Sequence, residues 1–151
     1  LTYFDDQKNQ KYIPYVIEPS VGVERTFLTV LCDAYHEEEL EDGTTREVMK
    51  FHPFLAPYKV AVLPLVKKYH KEKASEVYKA FAKNFMTTYD ETGSIGKRYR
   101  RQDVIGTPFC ITVDEDTIEN ETVTIRDRDT MKQITLPIEE AVKYVEERVK
   151  F

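Results

Sequence analysis

Lys59-Val60-Ala61-Val62-Leu63-Pro64-Leu65 sets a short apolar run between a lysine and a proline-bearing turn. It lacks the alternation of a half-exposed strand, and a strand covered on both faces requires just such a run. The next stretch changes period: Ala74, Val77, Tyr78, Phe81 and Phe85 recur at i, i+3, i+4, i+7 and i+11, along one face of a helix. Residues 86–90 then read as a second strand, closed by Glu91-Thr92-Gly93. A buried strand, a crossover helix and a second strand predict a parallel pair and an α/β fold.

Downstream, Ser94 is a good N-cap for a short helix running to about Asp103. Gly106-Thr107-Pro108 opens a third strand over 109–113. Residues 122–128 alternate, with Val123 and Ile125 on one face, and 130–136 can pair back through a turn near Asp129. Pro137, at a first helical position, starts a last helix whose apolar stripe is Ile138, Ala141, Val142, Val145 and Val149. The order is β-α-β-α-β-β-β-α over residues 58–151. This predicts an α/β unit with a mixed, mostly parallel five-stranded sheet and flanking helices.

Upstream, residues 12–18 read as a strand running into the turn Pro19-Ser20-Val21-Gly22. From Val23 a helix is predicted, with Phe27, Leu28, Leu31, Cys32 and Tyr35 on one face. Residues 37–47 form an acidic stretch with Asp42-Gly43 as a hairpin turn, and 49–57, with Pro53 and Pro57, read as a connector. The boundary placed there makes residues 1–57 a separate strand-turn-helix unit.

A chain of 151 residues with 41% hydrophobic and 32% charged residues is a globular protein that needs no disulfide staples. The two cysteines, Cys32 and Cys110, lie in apolar runs away from histidines and read as reduced and buried, with no metal site. A cytosolic compartment is expected. No apolar run is long enough to span a bilayer, so no membrane partner is expected. The chain starts at Leu1 rather than Met, as a piece of a larger protein would.

The net charge of −5 argues against a generic nucleic-acid binder, but the charge is segregated. In Ser94-Ile-Gly-Lys-Arg-Tyr-Arg-Arg101, a helical wheel gathers Lys97, Arg98, Arg100 and Arg101 on one face, with Ile95 and Tyr99 opposite. So many like charges on one helix suit a polyanion, although a solvated basic face has the same pattern. Arg126 and Arg128 share a strand face with Thr122 and Thr124; Asp127 and Asp129 beside them also allow a surface ion-pair array. In Glu18-Pro-Ser-Val-Gly-Val-Glu-Arg25, a strand delivers a carboxylate and a hydroxyl into a turn, and an arginine opens the helix beyond. Arginine there opposes the helix dipole, which makes sense if its planar fork faces phosphate; a solvated arginine beside Glu24 is the plain alternative. The acidic runs 37–42 and 114–121 lack the alternating ligands of a calcium loop and read as solvated loops. His36, His52 and His70 form no nucleophilic triad, and no phosphate-cradling glycine loop is present.

Four blocks in order carry a resemblance across nearly the whole chain. They are Tyr12-Ile-Pro-Tyr-Val-Ile-Glu-Pro-Ser-Val-Gly-Val-Glu-Arg25, His52-Pro-Phe-Leu-Ala-Pro-Tyr-Lys-Val-Ala-Val-Leu-Pro-Leu65, Thr92 to Pro108, and Thr124 to Gln133. The chain resembles the C-terminal part of the bacterial-type glycyl-tRNA synthetases, within class II of the aminoacyl-tRNA synthetases. The first block is similar to the third signature motif of that class in its glycyl form. The resemblance implies that residues 1–57 end a catalytic domain and that 58–151 are an anticodon-binding domain. It implies that Arg25 contacts the ATP phosphates as a catalytic residue, and that Glu18 and Ser20 help hold the glycine ammonium. Combined with the charge pattern, it makes Lys97, Arg98, Arg100, Arg101, Arg126 and Arg128 candidates for contacts to the anticodon, with Tyr99 a possible stacking partner.

The implied whole enzyme is a homodimer that activates glycine with ATP and magnesium and transfers it to tRNA(Gly). The first two class II motifs are not in this sequence, so the isolated chain is expected neither to charge tRNA nor to bind ATP or magnesium tightly. The rival within the same resemblance is a non-enzymatic, synthetase-like nucleic-acid-binding protein such as a polymerase accessory subunit; intact Glu18, Ser20 and Arg25 weigh against it. A response-regulator-like domain would need carboxylates at strand ends, where Leu63-Pro64-Leu65 stands instead. A basic face that binds an acidic protein is the third reading.

Overall fold

A computed structural model describes residues 1–150. In chain order the elements are β1 (Tyr3–Asp5), β2 (Gln10–Tyr12), α1 (Val23–Ala34), β3 (Tyr35–Glu39), β4 (Thr45–Met49) and β5 (Val60–Pro64). They continue with α2 (Lys67–Ala82), β6 (Thr87–Tyr89), α3 (Ile95–Ile105), β7 (Phe109–Val113), α4 (Glu115–Asn120), β8 (Thr122–Asp127), β9 (Gln133–Pro137) and α5 (Ile138–Val149).

The main sheet has five strands in the order β6-β5-β7-β8-β9. β5 pairs parallel to both β6 and β7, while β7–β8 and β8–β9 are antiparallel, so only β8 runs against the other four. The apolar run that decides the fold is the central strand, and every residue of Val60–Pro64 is buried.

Strand alternation divides the core into two layers. Val60 and Val62, with Phe109, Ile111, Val113, Val123 and Ile125, face α2 and α5 and meet Ala74, Val77, Phe81, Ala141 and Val145. Each such fully buried Val or Phe contributes about 1.5–3 kcal/mol. The opposite side chains, Ala61, Leu63 and Cys110, meet Ile95 and Tyr99 of α3. That second layer is small, and Thr112 and Arg126 make much of it polar.

Several sequence expectations change. Residues 13–22 are not a strand; Tyr15, Val16 and Ile17 are exposed. A strand needs neighbours for its backbone and apolar side chains, and no described residue pairs with this stretch. For the same reason the predicted apolar face of α1 stays open: Phe27 and Leu28 are exposed, and Cys32 is exposed rather than buried. The acidic run 37–47 is a hairpin, β3 on β4, with Asp42-Gly43 in its turn as expected. Its strands were hidden because solvent-facing glutamates erase the apolar alternation.

The second acidic run is the short helix α4. Asp114 Oδ1 accepts from Thr117 N–H at 3.2 Å, and Thr117 Oγ1 accepts from Asp114 N–H at 3.1 Å. That reciprocal cap holds the first turn. Pro137 ends β9 and caps α5 rather than occupying its first turn.

The hairpin does not stand apart from the sheet. Arg46 and Val48 of β4 are buried, and Arg46 Nε donates to Asp103 Oδ2 of α3 at 2.9 Å. Packing therefore joins residues 35–50 to the sheet unit, although the connector at 50–57 separates them along the chain.

Candidate nucleic-acid interface and the arginine-bearing turn

The loops after β5 and β6 diverge. The first turns to α2 on one face of the sheet and the second to α3 on the other, so their divergence marks a candidate cleft at the carboxyl ends of the two strands. Open α/β sheets bind ligands at such a point. Leu65, Val66 and Tyr69 are exposed on one lip. Asp90 to Ser94 and the first turn of α3 form the other.

Arg98 forms the floor of this cleft. It is 4% exposed, and its guanidinium donates to Pro64 O and, at 2.6 Å, to Gly93 O. Its Nε is buried without a partner. Arg98 thus ties the end of β5 to the loop after β6, and the expected fully cationic arc of α3 is corrected. Position 98 lies inside the stripe Ile95, Tyr99 and Gln102 that packs on the sheet, so its side chain has only strand-end carbonyls to face.

Lys97 is exposed and makes no ion pair among the described residues. Arg101 is exposed, and its Nε donates to Asp90 Oδ2 at 2.8 Å. Arg100 is half-buried toward the β3–β4 turn, where its charge is one of the smaller influences that lower the Asp42 carboxyl pKa; hydrogen bonds from Thr44 are the larger.

Arg126 and Arg128 are corrected as well. They do project to one side, but α3 and the hairpin cover that side, leaving them 6% and 1% exposed. Arg126 donates to Asp103 through both terminal nitrogens, at 2.9 and 3.2 Å, and lies over the Tyr99 ring at 4.9 Å. Burial alone would lower its pKa, yet the Asp103 carboxylate outweighs burial and the net shift is upward. Arg128 donates to Gly106 O at 2.8 Å and Phe51 O at 2.7 Å, and pairs with Asp129 at 2.8 Å. Tyr99 is half-buried, its hydroxyl 2.6 Å from Thr112 Oγ1, and is a packing residue rather than an exposed stacking surface.

Reading by charge runs missed four residues here, Lys67, Tyr69, Tyr89 and Glu91. Lys67 pairs with Glu91 at 2.6 Å, and the Tyr89 hydroxyl donates to Glu91 at 3.0 Å. The hydrogen bond from Lys67 is the largest cause holding the Glu91 carboxyl below its ordinary range. Burial, then Glu91, push the Tyr89 phenol up to about 12. Tyr69 is the exposed aromatic at this lip. The strand-end rule, applied to the loops after 64 and 89, would have pointed to them.

The arginine-bearing turn lies in the other part of the chain. Gly22 caps α1, and its carbonyl accepts Thr26 N–H and Thr26 Oγ1–H, both at 3.0 Å. Arg25 is the third helical residue, is exposed, and pairs with no carboxylate among the described residues. Ser20, Gly22, Arg25, Thr26 and Thr29 line an open groove of about 410 Å³. Ser20 and Arg25 thus come together, whereas Glu18 is exposed and outside the groove. An unpaired guanidinium beside a helix start suits a phosphate. No group of three or more His, Cys, Asp or Glu that could hold a metal ion occurs among the described residues. No helix of the described residues is long and apolar enough to cross a membrane.

A parallel central strand pair, an antiparallel extension and exposed Lys97 and Arg101 near the strand ends define a mixed α/β domain with a basic helix beside its strand ends. Residues 59–148 match the family described as the anticodon binding domain, and the chain belongs to that family. Across all 151 residues it is 58% identical to the glycine-tRNA ligase of Clostridium tetani, and over 150 residues 61% identical to that of Clostridium acetobutylicum. The corresponding protein of Bacillus anthracis is 58% identical over 149 residues. In each case the match spans 32% of the relative, so the chain covers about a third of their length. Among solved structures, the RNA binding domain of threonyl-tRNA synthetase from Cryptosporidium parvum superposes with a TM-score of 0.61 at 22% identity, over 66% of this chain and 25% of that one. That likeness concerns the fold.

Proposed function

We propose that this chain is the C-terminal part of a glycine-tRNA ligase, which activates glycine with ATP and magnesium and transfers it to tRNA(Gly). In this reading the sheet unit recognises the anticodon. The single observation that carries it is identity of 58–61% to glycine-tRNA ligases over 99–100% of this chain, a span that takes in both the arginine-bearing turn and the anticodon-binding domain. Lys97 and Arg101 supply charge at the cleft, Arg100 adds to it from the side, and exposed Tyr69 offers a ring on which a base can stack. Arg98, Arg126 and Arg128 shape the site from within. Arg25 contacts the ATP phosphates, and Glu18 and Ser20 pair with the glycine ammonium once the rest of the enzyme encloses them. The whole protein acts as a cytoplasmic homodimer.

The test measures binding of the chain to tRNA(Gly) and to the same tRNA with an altered anticodon, across a salt series. Preference for the native anticodon is expected, and Lys97→Ala should weaken binding and lower the salt slope by about 0.7, one single-strand phosphate. In the full-length protein, Arg25→Ala should abolish glycine-dependent ATP–pyrophosphate exchange while tRNA binding persists. Exchange that survives Arg25→Ala, or anticodon-blind binding by the full-length protein, overturns the reading.

A further inference from the structure

Arg46 and Asp103 are absorbed neither by the cleft nor by the arginine-bearing turn, yet they lie between the two. Asp103 is 0% exposed and Arg46 is 1% exposed. Asp103 takes Arg46 on one oxygen at 2.9 Å and Arg126 on both, at 2.9 and 3.2 Å. Arg46 spends its remaining nitrogens on Glu38 at 2.8 Å and on the carbonyl of Arg128. With the Arg128–Asp129 pair included, three guanidiniums (Arg46, Arg126, Arg128) balance three carboxylates (Glu38, Asp103, Asp129). A cluster so fully satisfied has one geometry, and a buried carboxylate shared between two arginines cannot slide.

The elements it joins matter as much as the cluster. Asp103 lies on α3, the helix whose first turns carry Lys97 and Arg101. Arg46 lies on β4, which pairs residue for residue with β3. β3 begins at Tyr35, immediately after the last residue of α1, so no linker intervenes between helix and strand. Lys50 N–H donates to Ala34 O at 2.6 Å and fastens that junction. α1 otherwise packs loosely: Phe27, Val30 and Leu31 line an open apolar groove of about 600 Å³ against Phe51, Leu55 and Ile105. The hairpin therefore holds the direction of α1, and the Arg46–Asp103 pair holds the hairpin to α3.

We infer that Arg46 and Asp103 are a positioning pair through which the orientation of α3 on the anticodon is passed to α1, and so to Arg25. This rests on the ligase reading. Neither residue touches a substrate. Their part is to make the place of Arg25 depend on how α3 is seated.

The test uses the full-length protein with three variants: Arg46→Lys, Arg46→Met and Asp103→Asn. Arg46→Met is the decisive variant: it cuts the link between hairpin and α3 while Asp103 keeps Arg126 on both oxygens and Glu38 keeps Lys50, so no buried charge is left alone. For each, glycine-dependent ATP–pyrophosphate exchange, tRNA affinity and aminoacylation kcat/KM are measured with native and anticodon-altered tRNA. Wild type should prefer the native anticodon in both affinity and kcat. In Arg46→Met, exchange without tRNA and the affinity preference should persist, while the kcat preference falls by about fivefold or more, as in a coupling of ordinary size. Arg46→Lys keeps a charge but loses the fork, so it should restore the preference only in part.

An Arg46→Met variant that retains the full kcat preference overturns the inference. So does one in which exchange, affinity and kcat fall together, since that is the signature of a merely structural pair. If wild type itself shows no anticodon preference, it is the anticodon reading that falls. The two failures are therefore distinct.

Discussion

Gly106→Ala tests whether the hairpin and connector are seated on α3 as closely as described. Gly106 ends α3 with φ +86°, and its N–H donates to Gln102 O at 2.9 Å and Asp103 O at 3.1 Å. A Cβ added there would lie 2.5 Å from Cδ2 of Phe51 and 2.9 Å from the Met49 carbonyl oxygen. Gly43, in the β3–β4 turn, is a matched control, because it has φ +76° and nothing within 4 Å of an added Cβ. A left-handed L-residue costs about 1–2 kcal/mol, offset by about 0.4–1 kcal/mol from a stiffer unfolded chain. Gly43→Ala should therefore destabilise by at most about 1.6 kcal/mol. Gly106→Ala adds overpacking of about 1–3 kcal/mol, for a total of about 1–4.6 kcal/mol. At about 2–4 °C per kcal/mol for a chain of this size, the two melting temperatures separate clearly. The chain has no tryptophan, so urea and thermal unfolding are followed by circular dichroism and tyrosine fluorescence. Equal losses in the two variants would refute the close approach of Phe51 and Met49 to the end of α3.

Two further outcomes follow from burial and charge. Cys110 lies in the core, where desolvation pushes its thiol up to about 12, while Cys32 is exposed on α1. A thiol reagent at pH 8 should modify Cys32 alone in the native chain and both cysteines in denaturant; native labelling of Cys110 would contradict the α3-side core. Glu38 is held below its ordinary 4.5, first by the Lys50 hydrogen bond and then, against burial, by Arg46. A carboxyl depressed in the fold adds stability that is present above its unfolded value and lost as pH falls through the folded one. Glu38→Gln should therefore lower stability at neutral pH and flatten its decline below about pH 4.5, read from urea midpoints across pH; parallel curves would show that the Glu38 pairing contributes nothing.

The five-stranded sheet was readable because its signals are local and strong: a continuous apolar run at 60–63, helical spacing from Ala74 to Phe85, and alternation at Val123 and Ile125. The acidic hairpin and α4 were not readable, since their stability comes from pairing and from a cap rather than from an apolar pattern. Among the site residues, Lys97, Arg100 and Arg101 keep some exposure, whereas Arg98, Arg126 and Arg128 do not. A helical wheel reports angle only. It cannot tell that the carbonyls of Pro64 and Gly93 converge at position 98, or that Asp103 waits beside Arg126. The same sequence period serves an arginine facing phosphate and one facing a strand end, and only the partner distinguishes them.

That division of arginines bears on how a chain of net charge −5 can hold a polyanion. Four guanidiniums, on Arg46, Arg98, Arg126 and Arg128, are turned inward and add no surface potential of consequence. At physiological salt a charge is felt over about 8 Å, so distant carboxylates scarcely oppose a ligand in the cleft. What counts is local, and there Asp90 partly neutralises Arg101 as Glu91 does Lys67. These pairs fix the cations in place more than they raise the field. Recognition at such a cleft depends on shape, stacking and oriented donors, with few phosphates neutralised. If Lys97 and Arg101 supply the phosphate contacts, the salt slope is about −1.4, two single-strand contacts at about 0.7 each. A slope several times steeper would mean that the polyanion lies along the lysines of α2 instead, and that the cleft is not where the anticodon is read.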